Sequence, residues 1–339
     1  MQHVVFVEPG KLEWRATRAA ALQGPNEAIV RPIVVGRCDL DTLYLSGRMP
    51  LAGGEPIGHE VIAEVVEPGE NAARRLHVGQ RVIVSAQICC GRCNACRRGS
   101  TGRCEMAPFG ASFGMGRAGD YGGGLADLMR IPFADAMLVP IPSNAEPLSM
   151  IGLADMSTDA WRAIGPALRQ RPGAAVLVLG GAAPVIGIYA AGMAVSLGAG
   201  LVDYVDHDAK RRERAAAYGA RTMADMEESD HHSYEVVVDA SGNAERLLSG
   251  LHRIAPDAIV TAVSPDTKGV TFPMLELYMK GVTYKVGRPD CRAGHDGALH
   301  AWSVCGFDPN IVKPTIYPFA RAHEAWCDPA VYVAVSRLM

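Results

Sequence analysis

The sequence predicts an α/β protein with two domains, a β-rich domain and a doubly wound parallel sheet. Three observations lead to this fold class: a length of 339 residues, an apolar content of 49%, and a change of rhythm near residue 157. The length exceeds the usual size of one domain, and the apolar content argues against disorder. The predicted domains are residues 1–156, rejoined by residues 289–339, and residues 157–288.

The first domain is predicted from short β-rich runs that Gly and Pro interrupt. Four of these runs read EAIVRPIVVG, EVIAEVVEPG, GQRVIVSAQI and LADLMRIPFADAMLVPIP. Such runs are typical of a compact, mostly antiparallel β domain with irregular loops. Residues 289–339 return to this mixed character, so we expect them to rejoin the first domain.

The second domain is predicted from strand-like runs that alternate with helix-like runs. The strand-like runs are AAVLVLG, GLVDYVD, YEVVVDAS, AIVTAVS and VTYKVG, and the helix-like runs include DAKRRERAAAYG and NAERLLSGLHRI. This alternation predicts a parallel sheet with helices between its strands. The uncharged residues 172–202 are numerous enough to cross a bilayer. Their β-branched run, glycine pair and apolar helical segment favour a buried strand, turn and helix instead.

Charge and cysteine usage narrow the function. A formal charge of −3 gives no general attraction to nucleic acid or anionic lipid, so we expect a small-molecule substrate. The first residues lack the apolar block of a signal peptide, which leads us to expect a cytoplasmic protein. Nine cysteines in such a chain point away from a disulfide scaffold. Five of them fall within residues 89–104, a density typical of a metal site.

The segment CCGRCNACRRGSTGRC predicts a structural zinc site. The spacing C-x2-C-x2-C-x7-C is formed by Cys90, Cys93, Cys96 and Cys104. Four thiolates this close in sequence can surround one zinc ion tetrahedrally. An iron–sulfur cluster is the alternative, but the bacterial pattern requires a shorter gap before its fourth cysteine and a proline after it, where this chain has Glu105. Cys89 is left as a spare thiol.

Arginines among these cysteines raise a further alternative, a nucleic-acid-binding zinc module. The acidic total charge, the lack of interleaved aromatic residues and the two large apolar domains argue against it. We therefore interpret these arginines as solvated surface residues.

A second set of residues predicts a catalytic zinc site. Cys38 in GRCDLD and His59 in GHE combine a thiolate with an imidazole, which suits zinc. Asp41 could hold the second imidazole nitrogen, and Asp155 in GLADMSTDAW supplies a carboxylate as third ligand. Three protein ligands keep one zinc position open, as in catalytic sites. Taken singly, a cysteine or histidine of this kind is more often a buried structural residue.

The run VLVLGGAAPVIG predicts a dinucleotide site. Its glycines, Gly180, Gly181 and Gly187, would let backbone N–H groups and a helix N-terminus face a pyrophosphate, although the run is not a strict GxGxxG. Val185 and Ile186 begin the helix and belong to the predicted cofactor site.

Asp206 ends the next strand, where a carboxylate binds the adenosine ribose hydroxyls. Such a carboxylate repels a 2′-phosphate and favours NAD over NADP. Lys210, Arg211 and Arg212 follow closely and could weaken this preference. The alternative role of Asp206 is that of a helix N-cap, and the two roles can coexist.

Together these motifs resemble those of the zinc-dependent medium-chain alcohol dehydrogenases. The resemblance rests on GRCDLD, GHE, VGQRV, the four-cysteine segment, GGGLADLMRIP, LADMSTDAW, the glycine turn with Asp206 and VVVDASG, which span nearly the whole chain. It implies a GroES-like catalytic domain and a Rossmann domain, with substrate bound in the cleft between them. It also implies a homodimer or homotetramer.

The resemblance also implies roles for single residues. The catalytic zinc would be held by Cys38, His59 and Asp155. Glu60 would be a nearby carboxylate that coordinates the ion transiently, and the four-cysteine segment would hold the structural zinc. Arg211 would contact the adenosine ribose, and Val263 would contact the nicotinamide.

Three positions depart from the family pattern. Leu40 stands where Ser or Thr usually takes the alcohol proton, Leu43 where many members have a relay histidine, and Asp159 where Thr commonly borders the nicotinamide. A positioned acid–base group contributes about 10²- to 10⁴-fold, so its loss would slow catalysis without ending it. Our hypothesis is that Asp39, Tyr44, Asp159 or zinc-bound water carries the proton. The alternative is that the leucines line an apolar pocket for a hydrophobic substrate.

The sequence therefore predicts a zinc- and NAD-dependent oxidoreductase that interconverts an alcohol and an aldehyde or ketone. The carboxylates expected to take part are Asp39, Asp41, Glu60 and Asp159. One alternative is a reductase of the same architecture that acts on activated C=C or C=N bonds. Another is a catalytically impaired zinc-binding scaffold, which the missing relay residues suggest.

Overall fold

The computed structural model describes residues 1–116, 119–226, 232–264 and 266–339. Its strands are β1 (Gln2–Glu8), β2 (Lys11–Ala16), β3 (Ala28–Gly36), β4 (Glu60–Pro68), β5 (Arg81–Val84), β6 (Met129–Ile131), β7 (Leu138–Pro140), β8 (Ala175–Leu179), β9 (Leu201–Val205), β10 (Arg221–Met223), β11 (Tyr234–Asp239), β12 (Ile254–Ala262), β13 (Thr283–Val286), β14 (Thr315–Pro318) and β15 (Val333–Ser336). Its α-helices are α1 (Asp39–Leu45), α2 (Asn94–Arg97), α3 (Ala134–Met137), α4 (Pro147–Met150), α5 (Met156–Gln170), α6 (Pro184–Ser196), α7 (Ala209–Ala217), α8 (Ala244–Leu251), α9 (Met274–Lys280), α10 (Cys291–Ser303) and α11 (Ala322–Ala325).

These elements fall into two compact units. The first unit contains Met1–Thr158, Asp290–Asp296 and Lys313–Met339, and the second contains Asp159–Pro289 and Gly297–Val312. This division groups residues by their mutual contacts and does not test the predicted domain limits. Those limits stay a prediction.

The first unit is built on a sheet with the strand order β14-β15-β3-β4-β5-β7. Neighbouring strands in this order are antiparallel, except for the parallel pair β14 and β15. Strand β6, which is not in this order, pairs antiparallel with β3. Most residues of the central strands β3 and β4 are buried. Large side chains such as Tyr44, Phe113 and Trp326 complete the core. The predicted β-rich, mostly antiparallel fold is confirmed.

The pairing of β3 with β4 brings two distant segments together. Gly36, the last residue of β3, lies opposite Glu60, the first residue of β4. The chain that follows β3 and the chain that precedes β4 therefore emerge at the same edge of the sheet. Glycine at position 36 leaves room for Glu60, because a Cβ there would lie 2.0 Å from Oε2 of Glu60 and would require that side chain to move.

The second unit is a six-stranded parallel sheet with the order β10-β9-β8-β11-β12-β13. The order reverses between β8 and β11, which is the switch point where doubly wound folds bind ligands. The predicted strands correspond to β8, β9, β11, β12 and β13, so this part of the fold class is confirmed. The short strand β10 was not predicted, because the three residues Arg-Thr-Met carry no strand pattern.

The uncharged residues 172–202 form β8, a glycine turn, α6 and the start of β9. Helix α6 is buried from Val185 to Ala194, which explains why it is apolar on all sides. In the part of the chain that the structure describes, no helix is both long enough and apolar enough to span a membrane.

One predicted β-rich run of the first unit contains a helical turn, and a segment outside the predicted runs forms another helix. The run LADLMRIPFADAMLVPIP contains two three-residue strands, β6 and β7, separated by the single-turn helix α3. The segment DLDTLYL forms helix α1, with Cys38 as its N-cap and Asp41 completing a capping box. Local capping chemistry therefore determines the structure here.

Candidate active site

Three distant residues converge in the first unit. One donor atom from each of Cys38, His59 and Asp155 lies within 4.8 Å of the other two, and all three residues are buried. The strand pairing described above places Cys38 after β3 and His59 before β4, and Asp155 immediately precedes α5. The predicted ligands of the catalytic zinc are thus close enough to share one ion.

The two nitrogens of His59 face different carboxylates. Nε2 lies 3.5 Å from Oδ2 of Asp155, and Nδ1 lies 3.7 Å from Oδ1 of Asp41. The backbone N–H of Cys38 donates to Oδ2 of Asp41 at 3.1 Å, which fixes that carboxylate at the start of α1. Asp41 therefore lies on the side of the imidazole opposite Asp155, where a carboxylate that bonds the second ring nitrogen orients a metal-binding histidine.

Buried polar atoms at this site lack ordinary partners. Within the described residues, neither ring nitrogen of His59 nor Oδ1 of Asp41 makes a hydrogen bond, although all three atoms are buried. Buried polar atoms are almost always paired, so unpaired ones call for an explanation. A metal ion at Nε2 would supply the missing partner for one of them.

The electrostatics of the site favour a positive charge. Burial by itself lowers the pKa of His59, but Asp41, Asp155 and Glu60 outweigh burial and raise the pKa to about 9. Burial raises the pKa of the Cys38 thiol well above its usual value, and the charge of Asp155 adds to this effect. A divalent cation would relieve the repulsion among these acidic groups. A thiolate, an imidazole and a carboxylate are a donor set that suits zinc.

Glu60 lies beside this group and is held by two partners. Oε1 accepts from the backbone N–H of Met156 at 3.3 Å, and Oε2 accepts from the hydroxyl of Tyr332 at 2.8 Å. Burial, followed by repulsion from Asp155, raises the pKa of Glu60 well above its usual value. Transient coordination by Glu60 stays a prediction. No sequence pattern predicted the hydrogen bond from Tyr332, which lies 272 residues from Glu60 in the chain.

The candidate proton carriers occupy different environments. Asp39 is buried in the first turn of α1, and the hydroxyl of Tyr44 donates to the carbonyl of Met115 at 3.3 Å. In the second unit, Oδ1 of Asp159 accepts from Nε of Arg162 at 2.6 Å. The role of each in proton transfer stays a prediction.

Leu40, one of the two leucines at the relay positions, is half-buried. It packs against the buried residues Ala86, Met115 and Cys291. Its surroundings are thus partly apolar, which supports the interpretation that it contributes to an apolar pocket.

The cysteine-rich segment forms the second candidate metal site, which we call the cysteine lobe (residues 90–104). One sulfur from each of its four predicted ligands lies within 4.8 Å of the other three. Backbone N–H groups donate at 3.3–3.5 Å to the sulfurs of Cys90, Cys93 and Cys104. The N–H groups of Cys96 and Glu105 lower the pKa of Cys93 to about 6. Such donors stabilise thiolates, so the lobe fits a tetrahedral zinc ion.

Two residues near Asp155 were missed in the sequence. The thiol of Cys291 donates to Oδ1 of Asp155 at 2.9 Å, and Nε2 of His295 lies 2.9 Å from the carbonyl oxygen of Ala154. Burial lowers the pKa of His295 to about 4, so its imidazole is neutral at pH 7. The available signal was indirect: Cys291 is a buried cysteine that neither metal motif uses.

The predicted cofactor residues of the second unit follow the carboxyl ends of parallel strands. Gly180 and Gly181 follow β8, Asp206 follows β9, and Val263 follows β12. Val185 and Ile186 lie in the first turn of α6, whose N-terminus begins at this same edge of the sheet. Gly187 packs against the strands, because a Cβ there would lie 3.1 Å from Cβ of Ala240.

The glycine turn approaches its neighbours closely. A Cβ on Gly180 would lie 2.5 Å from Oδ2 of Asp206, and a Cβ on Gly181 would lie 2.5 Å from the carbonyl oxygen of Ser241. Glycine at both positions lets the turn pack closely against Asp206 and Ser241 beside the N-terminus of α6. This is the arrangement that receives a pyrophosphate.

Asp206 is buried and held in place by its neighbours. Oδ2 accepts from the hydroxyl of Tyr204 at 3.0 Å and lies 3.5 Å from Nη1 of Arg211. Oδ1 accepts from the backbone N–H of Asp208 at 2.9 Å. The N-cap of α7 is Asp208, so the alternative interpretation of Asp206 as this cap is wrong. Arg211 also donates to the carbonyl of Gly181 at 2.8 Å, which links the two halves of the predicted nucleotide site.

Comparisons with known proteins agree with this arrangement. Residues 24–143 match the alcohol dehydrogenase GroES-like domain. The chain is 30% identical over 346 residues to the uncharacterized zinc-type alcohol dehydrogenase-like protein AdhB of Bacillus subtilis, covering 90% of each chain. It is 29% identical over 323 residues to a glutathione-independent formaldehyde dehydrogenase of Pseudomonas aeruginosa, covering 87% of this chain and 79% of that protein.

A solved structure shares the fold over nearly the full length. The alcohol dehydrogenase TADH from Thermus sp. ATN1 superposes with a TM-score of 0.88 at 28% identity, covering 99% of both chains. The full-length sequence match and the shared two-part architecture confirm the resemblance seen in the sequence motifs. The chain belongs to the zinc-dependent medium-chain alcohol dehydrogenase family, and it is an oxidoreductase of that family.

Proposed function

We propose that this protein uses zinc and NAD to interconvert an alcohol and an aldehyde or ketone. The observation that carries the proposal is the buried convergence of Cys38, His59 and Asp155 on one point. A zinc ion held by these residues would supply Lewis acidity at the substrate oxygen. Three protein donors are the number found in catalytic zinc sites, whereas four cysteines are typical of structural ones.

The protein's own residues would prepare both reactants. Asp41 next to Nδ1 of His59 favours the tautomer that keeps the proton on Nδ1 and offers Nε2 to the metal. The glycine turn and the N-terminus of α6 would bind the pyrophosphate, and Asp206 would bind the ribose hydroxyls. Val263 would contact the nicotinamide that exchanges a hydride with the substrate carbon. Asp39, Tyr44, Asp159 or a water molecule would carry the proton, while Leu40 and Leu43 would favour a hydrophobic substrate.

A substrate screen combined with metal analysis tests this proposal. Primary and secondary alcohols, aldehydes and ketones would be assayed with NAD(H) and NADP(H) by nicotinamide absorbance, alongside enones and imines. Turnover of alcohols with about two zinc ions per chain supports the proposal. Turnover confined to enones or imines would instead identify a reductase of C=C or C=N bonds. Absence of all turnover, with about one zinc ion per chain, would identify a catalytically impaired scaffold.

The preference for NAD leads to a test on Asp206. Replacing Asp206 with Asn removes the charge that repels a 2′-phosphate and leaves Arg211 available to bind that phosphate. A charged hydrogen bond contributes about 1.5–3 kcal/mol, so the ratio of kcat/KM for NAD over NADP should fall about 10- to 100-fold. Steady-state kinetics with both cofactors measure this ratio.

Asp208→Asn is the matched control, because it removes a like charge two positions away and retains the oxygen that caps α7. The control should keep the preference of the unchanged protein. An equal loss of preference in both variants would mean that general charge, and not the carboxylate of Asp206, determines the cofactor.

We also infer that the protein forms homo-oligomers through the second unit. Strand β13 ends the order of the parallel sheet in the described residues, and α9 exposes the apolar side chains of Met274, Leu275, Tyr278 and Met279. Leu275 is 75% exposed and Tyr278 is 80% exposed. An exposed sheet edge beside an exposed apolar patch is typical of a surface that pairs with a second copy.

Leu275→Asp combined with Tyr278→Asp should shift the protein from an oligomer to a monomer, because two charges would be buried in the interface. Light scattering coupled to size-exclusion chromatography measures the mass. Val304→Asp is the control, since Val304 is a similarly exposed apolar residue outside α9 and β13. An oligomer that survives the double substitution would show that another surface forms the interface.

A further inference from the structure

One turn of helix α10 contacts the segment that carries the proposed third zinc ligand. The thiol of Cys291 donates to Oδ1 of Asp155 at 2.9 Å, and Nε2 of His295 lies 2.9 Å from the carbonyl oxygen of Ala154. Cys291 and His295 are four residues apart, so they share one face of the helix. Both are fully buried, so bulk solvent does not compete for these two contacts.

The two oxygens of Asp155 have different neighbours. Oδ1 accepts from Cys291, whereas Oδ2 lies 3.5 Å from Nε2 of His59. At this site, among the described residues, the donor atoms that all lie within 4.8 Å of one another come from Cys38, His59 and Asp155, and the group does not include Cys291. Cys291 would therefore act on the metal through Asp155 and not as a fourth ligand.

The start of α10 is itself held from several sides within the first unit. The backbone N–H of Cys291 donates to Oε1 of Gln87 at 3.0 Å, and Nε of Arg292 donates to the carbonyl of Ala136 at 2.8 Å. Oδ1 of Asp290 accepts from the backbone N–H of Gly102, which belongs to the cysteine lobe, at 2.8 Å. The thiol of Cys291 therefore lies on a helix start that several hydrogen bonds hold in place. A partner held in this way gives the ligand that it contacts a single orientation.

Close packing at Gly294 adds to this fixation. A Cβ at position 294 would lie 2.8 Å from Cβ of Thr158, and the hydroxyl of Thr158 donates to the carbonyl of Asp155 at 2.6 Å. The first turns of α10 are thus packed against Thr158, which in turn bonds the backbone of Asp155.

We propose that Cys291 and His295 are positioning residues that orient Asp155 toward the metal. Cys291 binds Oδ1 and leaves Oδ2 facing His59, while His295 fixes the carbonyl of the preceding residue. The inference rests on the proposed function in one respect, that Cys38, His59 and Asp155 bind a metal. It goes beyond that proposal because it assigns the control of ligand geometry to two residues outside the proposed ligand set.

Zinc affinity is the readout that tests this role. Cys291→Val retains the apolar volume but removes the donor, and Cys291→Ser retains a donor. The affinity for zinc would be measured by chelator competition, and the ligand field would be measured by the visible spectrum of the cobalt-substituted protein. Loss of a hydrogen-bond partner that holds a metal ligand costs about 10- to 100-fold in metal affinity, which is the fall expected for Cys291→Val, with an altered cobalt spectrum. Cys291→Ser should recover most of the affinity, and the control Cys305→Ala, a thiol outside both metal sites, should leave it unchanged.

A folded Cys291→Val protein with unchanged zinc affinity and cobalt spectrum would overturn the proposal. If that variant does not fold, Cys291→Ala removes the same donor without adding volume, and unchanged affinity in it would have the same consequence. Failure of the proposed function is recognised separately, since the unchanged protein would then bind metal only in the cysteine lobe. That result would remove the metal on which positioning is meant to act and would overturn this inference as well.

Discussion

Replacing Cys38 with Ala is expected to remove the metal from the proposed catalytic site and to lower alcohol turnover by about 10³-fold or more. The reason is that Lewis-acid stabilisation contributes several kcal/mol to the transition state, and each 1.4 kcal/mol corresponds to a factor of ten in rate. Among the described residues, this buried sulfur is one of three donors that lie together at this point, so two donors would remain. Zinc content should fall from about two ions per chain to about one, and kcat/KM should fall with it.

Cys327→Ala is the control for this experiment. Cys327 is exposed and belongs to neither group of donor atoms, so its loss should change neither zinc content nor kcat/KM. A Cys38→Ala protein that kept both its second zinc ion and its turnover would contradict the proposed ligand set.

Replacing Cys104 with Ser is expected to remove the second metal and to destabilise the cysteine lobe. The lobe has short helical segments and relies on four sulfurs that lie together, so it has little apolar core of its own to stabilise it. Structural zinc supplies folding free energy directly. A loss of several kcal/mol should lower the midpoint of thermal unfolding by about 10 °C. Calorimetry and zinc analysis measure the two effects.

Cys89→Ala is a close control, because Cys89 is a buried thiol next to Cys90 that lies outside the four-sulfur group. Burial raises the pKa of Cys89 to about 12, so it stays protonated at neutral pH. The control should keep both metals. Equal unfolding temperatures for Cys104→Ser and the unchanged protein would mean that the lobe does not depend on a bound ion.

The two metal sites differ in how far the sequence could predict them. The four cysteines of the lobe lie within fifteen residues of one another, so their spacing alone indicates that their sulfurs can surround one ion. Cys38, His59 and Asp155 belong to three separate segments, and their grouping was inferred from a family resemblance and from donor chemistry. The structure brings these atoms together because Gly36 lies opposite Glu60 in the sheet and because the residues before α5 reach the same point.

The sequence by itself determined the class of fold, because hydrophobic periodicity and glycine turns are local properties that fix the strands and helices of the parallel sheet. It also determined the residue types of both candidate metal sites. Only the tertiary structure decided which distant side chains contact the candidate metal ligands and the carboxylate beside them. Tyr332 binds Glu60 across 272 residues of sequence, and Cys291 binds Asp155 across 136 residues. Such contacts depend on strand register and on the packing of α10, which no local pattern of residues specifies.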